Sequence, residues 1–285
     1  MSYWYRDGQP IDSIPVTSRA FQYGDGLFET VAIRDGEARL WDLHVERLQD
    51  SCARLGLPAP SAEKLGGALR TALEDANGQA DIDTDYCVAK IVLSAAPTAR
   101  GYSRTASADT DLLVGVFAAS RPDASRLASG VITRRCVIPV AQQPALAGIK
   151  SLNRLEQVLA RAEWDNPEIF EGLMCDADDN LICGTMSNVF AYRNNAWTTP
   201  RLDRGGVAGV MRRHILDVLR ENGRPCAVEA ISFEKFLAAD EVFLCNSQFG
   251  VLPVVSCESS QWSVGPETQN VCTLLAQSGV EECSA

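Results

Sequence analysis

Lys150 is the side chain whose type and setting could do covalent chemistry. It lies in Gly148-Ile149-Lys150-Ser151-Leu152-Asn153-Arg154-Leu155-Glu156, and only Lys64, Lys90 and Lys235 join it as lysines among 26 basic residues. A lysine amine condenses reversibly with an aldehyde, which a guanidinium cannot do. Standing alone, Lys150 would read as a surface lysine near a helix start. A phosphate-bearing partner would need open backbone N–H groups at the beginning of a helix, with one or two fixed cations. The run Gly205-Gly206-Val207-Ala208-Gly209-Val210-Met211-Arg212 offers the first. Its glycines admit close approach and the helix dipole favours an anion, although such a run is also an ordinary turn. Arg47, in His44-Val45-Glu46-Arg47-Leu48, offers a cation or is part of a solvated helix face. Cys245-Asn246-Ser247, at the end of a strand-like run, offers further donors or simply caps a turn.

These groups need elements to hold them. Asp7-Gly8 and Asp35-Gly36 follow strand-like runs and supply the positive φ of hairpin turns. Apolar spacing predicts helices over 40–57 and 62–73, then strands over 87–95 and 111–118. Residues 119–125 break both periodicities and are read as an interdomain linker between a small α+β domain (1–118) and a large one (126–285). Beyond it the pattern predicts a strand over 131–140, a loop into Lys150 and a helix over 152–164. Three strand-like runs follow, with a turn at Asp178-Asp179-Asn180. Then come a helix over 207–221, strands over 227–231 and 241–245, and a last helix over 267–278. Strands and helices interleave with hairpins, so the class is α+β rather than a regular parallel array.

Composition narrows the partners. A net charge of −11 leaves no basic face for nucleic acid or an anionic membrane. An anionic small molecule would need a local arginine cluster. The ten cysteines contain no Cys-x-x-Cys pair, and Cys87, Cys136, Cys175 and Cys245 sit in apolar runs as small core residues. No secretion signal or membrane-length apolar run is seen, so reduced thiols and a cytoplasmic location are expected. With His44 and His214 as the only histidines, no metal site is expected.

In order along the chain, a set of segments resembles the fold-type IV pyridoxal phosphate enzymes, the family of D-amino-acid and branched-chain aminotransferases. They are 19–30, 44–48, Arg100-Gly101-Tyr102-Ser103, 146–156, 184–190, 199–203 and 206–212. The Lys150 run with Asn153, Arg154 and Glu156 is most similar to the branch that acts on 4-amino-4-deoxychorismate. The resemblance implies a two-domain α+β fold and a homodimer with pyridoxal 5'-phosphate bound between the domains. The implied reaction is conversion of aminodeoxychorismate to 4-aminobenzoate and pyruvate, a step toward folate. Lys150 would carry the cofactor and shuttle a proton. Arg47 and the backbone at Gly209 and Val210 would hold the phosphate, with Asn246 and Ser247 beside it and Val207 against the pyridine ring. Arg100 and Tyr102, with Tyr23, Asn153 and Arg154, would meet the substrate. Arg154 equally faces solvent or Glu156.

One position departs from the pattern. Where the family carries a glutamate that keeps the pyridine nitrogen protonated, this chain has Cys183. A neutral thiol is too weak a donor to do the same, and Asp176, Asp178 and Asp179 fall in or beside a turn. Three readings stay open: a lyase working with a weaker electron sink, a relative with altered chemistry or no cofactor, and a substitution made in the laboratory. An aminotransferase of D- or branched-chain amino acids is the alternative activity.

Overall fold

The computed structural model describes residues 2–97, 101–104, 109–121 and 123–284. It divides into two compact units, Met1–Arg121 with Ile149–Asn153, and Pro122–Gly148 with Arg154–Ala285.

The first unit contains β1 (Ser2–Arg6), β2 (Gln9–Ile11), α1 (Arg19–Tyr23), β3 (Gly26–Arg34), β4 (Glu37–Ala38), α2 (Trp41–Leu55), α3 (Ala62–Ala76), β5 (Tyr86–Ala95) and β6 (Thr110–Ala118). The strands make one antiparallel sheet in the order β2-β1-β6-β5-β3-β4. Both expected Asp-Gly turns are present, with φ of 49° and 75° at Asp7-Gly8 and 50° and 75° at Asp35-Gly36. Those values match the twist of the strands they join. Alternate residues of β3, Leu27, Val31 and Ile33, meet Leu48 and Cys52 of α2 and Leu65 and Leu69 of α3 in a single buried cluster. Helix α2 stops at Leu55 because Gly56 turns left-handed (φ 64°) and its N–H and that of Leu57 close back on Ala53 and Cys52. Ser61 caps α3 by accepting the Lys64 N–H at 3.1 Å.

The second unit contains α4 (Ser125–Ser129), β7 (Val131–Arg135), α5 (Leu155–Arg161), β8 (Ile169–Cys175), β9 (Asn180–Gly184), β10 (Asn188–Arg193), β11 (Ala196–Pro200), α6 (Val210–Glu221), β12 (Cys226–Glu229), β13 (Ile231–Ser232), α7 (Phe233–Leu237), β14 (Glu241–Asn246), β15 (Gly250–Cys257), β16 (Ser260–Gln261) and α8 (Pro266–Gln277). Its mixed sheet runs β12-β11-β10-β14-β15-β7-β8-β9-β13. Helices α6 and α8 pack on β14. Val242 and Leu244 of that strand lie in a cluster with Phe233 and Phe236 of α7. Covered on both faces, β14 is apolar at its four central positions, Val242 to Cys245.

Several boundaries differ from the sequence expectations. The strand expected over 131–140 ends at Arg135, because the Val137 and Ile138 N–H groups go to the Glu163 carboxylate instead of a ladder. The single strand expected over 227–231 is two, β12 beside β11 and β13 beside β9. The helix expected over 152–164 is the shorter α5. Residues 150–152 are taken by β3, with Phe28 N–H donating to Lys150 O and Leu152 N–H to Gly26 O, each at 3.0 Å. Among the described residues no helix is long and apolar enough to cross a membrane.

Leu48 is 2% exposed at the centre of the first unit's core. Leu48→Ala should therefore cost ~2–5 kcal/mol of stability, read as a lower urea midpoint with an unchanged slope.

Candidate active site

Lys150 stands on an isolated antiparallel bridge, Leu27 opposite Ser151, and not at a helix start as its sequence suggested. The register puts Ile149 on the core side, where it is 1% exposed, and sends Lys150 to the side of Phe28. Its Nζ lies 4.3 Å from the centre of the Phe28 ring. Backbone bonds on either side hold the amine's starting point, so its position is fixed by a strand rather than by a loop.

On the other face of β3, Glu29 shares the core side with Leu27 and Val31 and is 2% exposed. A carboxylate there must be compensated by neighbouring donors. Helix α2 supplies them one turn apart, at His44 and Arg47. His44 Nδ1 lies 2.6 Å from Glu29 Oε2, and Arg47 donates from Nε at 2.8 Å and from Nη2. Burial raises the Glu29 pKa, but attraction to Arg47 and the His44 bond outweigh it and hold the group at about 2. Burial lowers the His44 pKa, against the pull of Glu29, so the ring is neutral at pH 7. Nδ1 then carries the proton toward Glu29. Nε2 is left as a buried acceptor with no hydrogen-bond partner among the described residues. Lys150 is near enough for its charge to help keep His44 neutral. Arg47 is thus oriented by an ion pair and is not a solvated helix residue. Glu29 and His44 were missed as functional residues, although an acid on the apolar alternation of β3 was a visible signal.

The expected substrate residues of this unit fall into two contacts. Tyr23 and Tyr102 meet edge to face at 5.5 Å, and Asn153 Nδ2 donates to Gly24 O at 3.0 Å. Arg19, ion-paired to Asp25, also donates to the Gly101 and Tyr102 carbonyls and so presents Tyr102, which is 87% exposed. Arg100 lies outside the described residues.

In the second unit, the helix expected from 207 begins at Val210. Val207 instead bridges Gly148, and Ala208 donates to Gly148 O at 3.0 Å. Gly209 is the N-cap, with no side-chain cap on α6. Its own N–H goes to Asn188 Oδ1 at 3.1 Å, while Asn188 Nδ2 donates to Val207 O at 3.0 Å. A Cβ at position 209 would lie 2.0 Å from Asn188 Oδ1, so only glycine fits. Of the donors expected at Gly209 and Val210, the Gly209 N–H is therefore already used. Asn188 was missed, and nothing in the spacing marks it. Asn246 caps its own turn, accepting from Gln248 N–H at 2.8 Å and Phe249 N–H at 3.0 Å. Its amide donates to Met186 O at 3.3 Å, and Ser247 is half-buried in that turn.

Cys183 is paired with Met174 across β8 and β9 and packs with Ile182 and Cys136. Burial pushes its thiol up to about 12, with the nearby Glu171 charge adding to the rise. It is a neutral thiol at pH 7, and no reactive thiolate. Burial also lowers the pKa of Arg154, whose charge interacts with Cys183 and Glu156. Asp176 is occupied in its turn, accepting the Asp178 and Asn180 N–H groups, and Asp179 pairs with Arg135.

Comparison with known proteins places this geometry. The model of the amino-transferase class IV family matches residues 26–257. The aminodeoxychorismate lyase of Vibrio harveyi is 34% identical over 252 residues, covering 88% of this chain and 90% of that protein. The crystal structure of 4-amino-4-deoxychorismate lyase from Pseudomonas aeruginosa is 37% identical, with a TM-score of 0.88 over 97% of this chain and 99% of that one. The D-alanine aminotransferase of Bacillus licheniformis is 26% identical over 274 residues, 95% of this chain and 93% of that protein.

The Glu29 ion pair makes a pH prediction. Its carboxylate falls from an ordinary value of 4.5 to about 2 on folding, so its contribution is complete above pH 4.5 and is lost as pH falls through 2. The stability gap between wild type and Glu29→Gln, ~3–5 kcal/mol near neutral pH for a broken buried pair, should narrow from pH 4.5 toward 2. Urea unfolding at several pH values measures it.

Proposed function

The chain belongs to the class IV aminotransferase family, and from that premise we propose that it is a pyridoxal phosphate-dependent lyase converting 4-amino-4-deoxychorismate to 4-aminobenzoate and pyruvate. The observation that carries this reading is Lys150, whose amine rises from a backbone pinned to β3 in a chain with two lyase relatives above 30% identity.

The residues present fit the cofactor. His44 Nε2 is a buried acceptor without a partner among the described residues, α6 starts without a side-chain cap, and Gly209 admits no Cβ. When bound, pyridoxal phosphate supplies an aldehyde and a ring that withdraws electrons from the carbon bearing the substrate's amine. Lys150 would carry it and then take the proton from that carbon. In the first unit Arg47, already set by Glu29, is read as a phosphate donor; in the second the Val210 N–H is read as another, along with Asn246 and Ser247. Val207 would pack on the ring. Tyr23, Arg100, Tyr102, Asn153 and Arg154 would face the substrate and its carboxylates.

The neutral Cys183 thiol fits elimination better than amino transfer. In elimination the negative charge leaves with enolpyruvate as the substrate ring becomes aromatic. Little charge must then be stored on the cofactor ring. Transamination has no such outlet and depends on the acid that position 183 lacks.

The same reading includes a homodimer, supported by exposed Leu155, Val158 and Leu159 at i, i+3 and i+4 on α5. A cytoplasmic location is supported by cysteines such as Cys87, Cys136, Cys175 and Cys257, which stay as thiols in the core. The acidic charge of −11 speaks against a nucleic-acid partner.

Wild-type protein given pyridoxal phosphate should develop a near-visible absorbance band and release pyruvate from aminodeoxychorismate. Lys150→Ala should lose the band and at least about 10²–10⁴-fold in rate. Amino transfer to 2-oxoglutarate without pyruvate release would instead identify an aminotransferase. Cys183→Glu should raise the proportion of amino transfer to elimination, and an unchanged ratio would refute the account of Cys183.

A further inference from the structure

Glu171 of β8 is fully enclosed, at 0% exposure, and among the described residues no cation pairs with it. Five donors surround it instead. They are the N–H groups of Gly172 at 3.0 Å, Thr185 at 3.1 Å and Met186 at 3.1 Å, and the hydroxyls of Thr185 at 2.6 Å and Ser187 at 2.8 Å. Such a charge is costly to bury, and a full set of charge-assisted bonds is what offsets the cost. Four of the five donors come from the three residues joining β9 to β10. The carboxylate therefore fixes the shape of that turn from beneath.

The residue that leaves the turn is Asn188, 6% exposed. Both ends of its amide are spent on the backbone just ahead of α6, at Val207 O and Gly209 N–H. Between those two bonds, Ala208 N–H is tied to Gly148 O. Three consecutive residues before the helix are thus held in place, and the direction of the first-turn N–H groups follows from them. A turn needing only stability could be built without an ion. A buried anion with directional bonds fixes orientation as well.

We propose that Asn188, set by the buried Glu171 carboxylate, is the positioning residue that aims the first-turn N–H groups of α6 at the cofactor phosphate. This rests on the cofactor reading above. Neither residue touches the cofactor or substrate; both act through the backbone at 207–209.

The test compares pyridoxal phosphate with pyridoxal, which keeps the aldehyde and lacks the phosphate. Full-length wild type, Asn188→Ala, Glu171→Gln and Thr185→Val are titrated with each, reading the absorbance of the bound aldehyde, while circular dichroism follows the fold. Thr185→Val removes one hydroxyl donor at constant shape and serves if Glu171→Gln does not fold. Asn188→Ala and Glu171→Gln should weaken pyridoxal phosphate about tenfold and pyridoxal less than about twofold. Thr185→Val should show a smaller loss of the same selectivity. A loss equal for the two aldehydes, or none in a folded variant, overturns the proposal. If wild type prefers pyridoxal phosphate and the variants keep that preference, the positioning role alone falls. If wild type takes up neither aldehyde, the cofactor reading fails and takes this inference with it.

Discussion

A carboxylate removed from water must find donors on every side, and that requirement organises the functional backbone in both units. In the first, Glu29 lies on the face of β3 that meets α2, so α2 must bring His44 and Arg47 to it. The three side chains fix the rotation of the helix against the sheet. In the second, Glu171 draws the turn after β9 around itself. Losing either anion would leave its donors unsatisfied, which is more costly than the bonds are worth singly.

The groups proposed to do chemistry are placed by such neighbours. Lys150 has no helix to set its direction. Its carbonyl accepts from Phe28 N–H, Leu152 N–H donates to Gly26 O, and the two-residue alternation of that pairing sends the amine toward Phe28. Arg47 is directed by Glu29, and α6 begins where Asn188 allows it to begin. Burial keeps Cys183 a thiol, which leaves the proposed chemistry without a strong acid at that position and favours a reaction that carries charge away with a leaving group.

Local signals were legible wherever one segment carries its own instruction. The Asp-Gly turns, the amphipathic stretches of α2 and α3 and the apolar run of β14 follow from short-range rules, and the α+β class follows from their order. Boundaries failed where a distant residue claimed a backbone group. Glu163 ended β7 early, β3 took the residues expected to open a helix after Lys150, and Asn188 delayed α6 to Val210.

The sequence by itself determined that a scarce lysine lies in a run similar to those of fold-type IV enzymes, and that position 183 lacks a carboxylate. Both are facts of residue type. Only the tertiary structure decided that Arg47 is ion-paired, that the Gly209 N–H is already spent, and that Glu171 lies within reach of five donors. Hydrogen bonds act over about 3 Å, and the residues that meet at that distance here are separated by fourteen to twenty-one positions in the chain at Thr185–Glu171, Arg47–Glu29 and Gly209–Asn188. No spacing rule of a single helix or strand reaches so far.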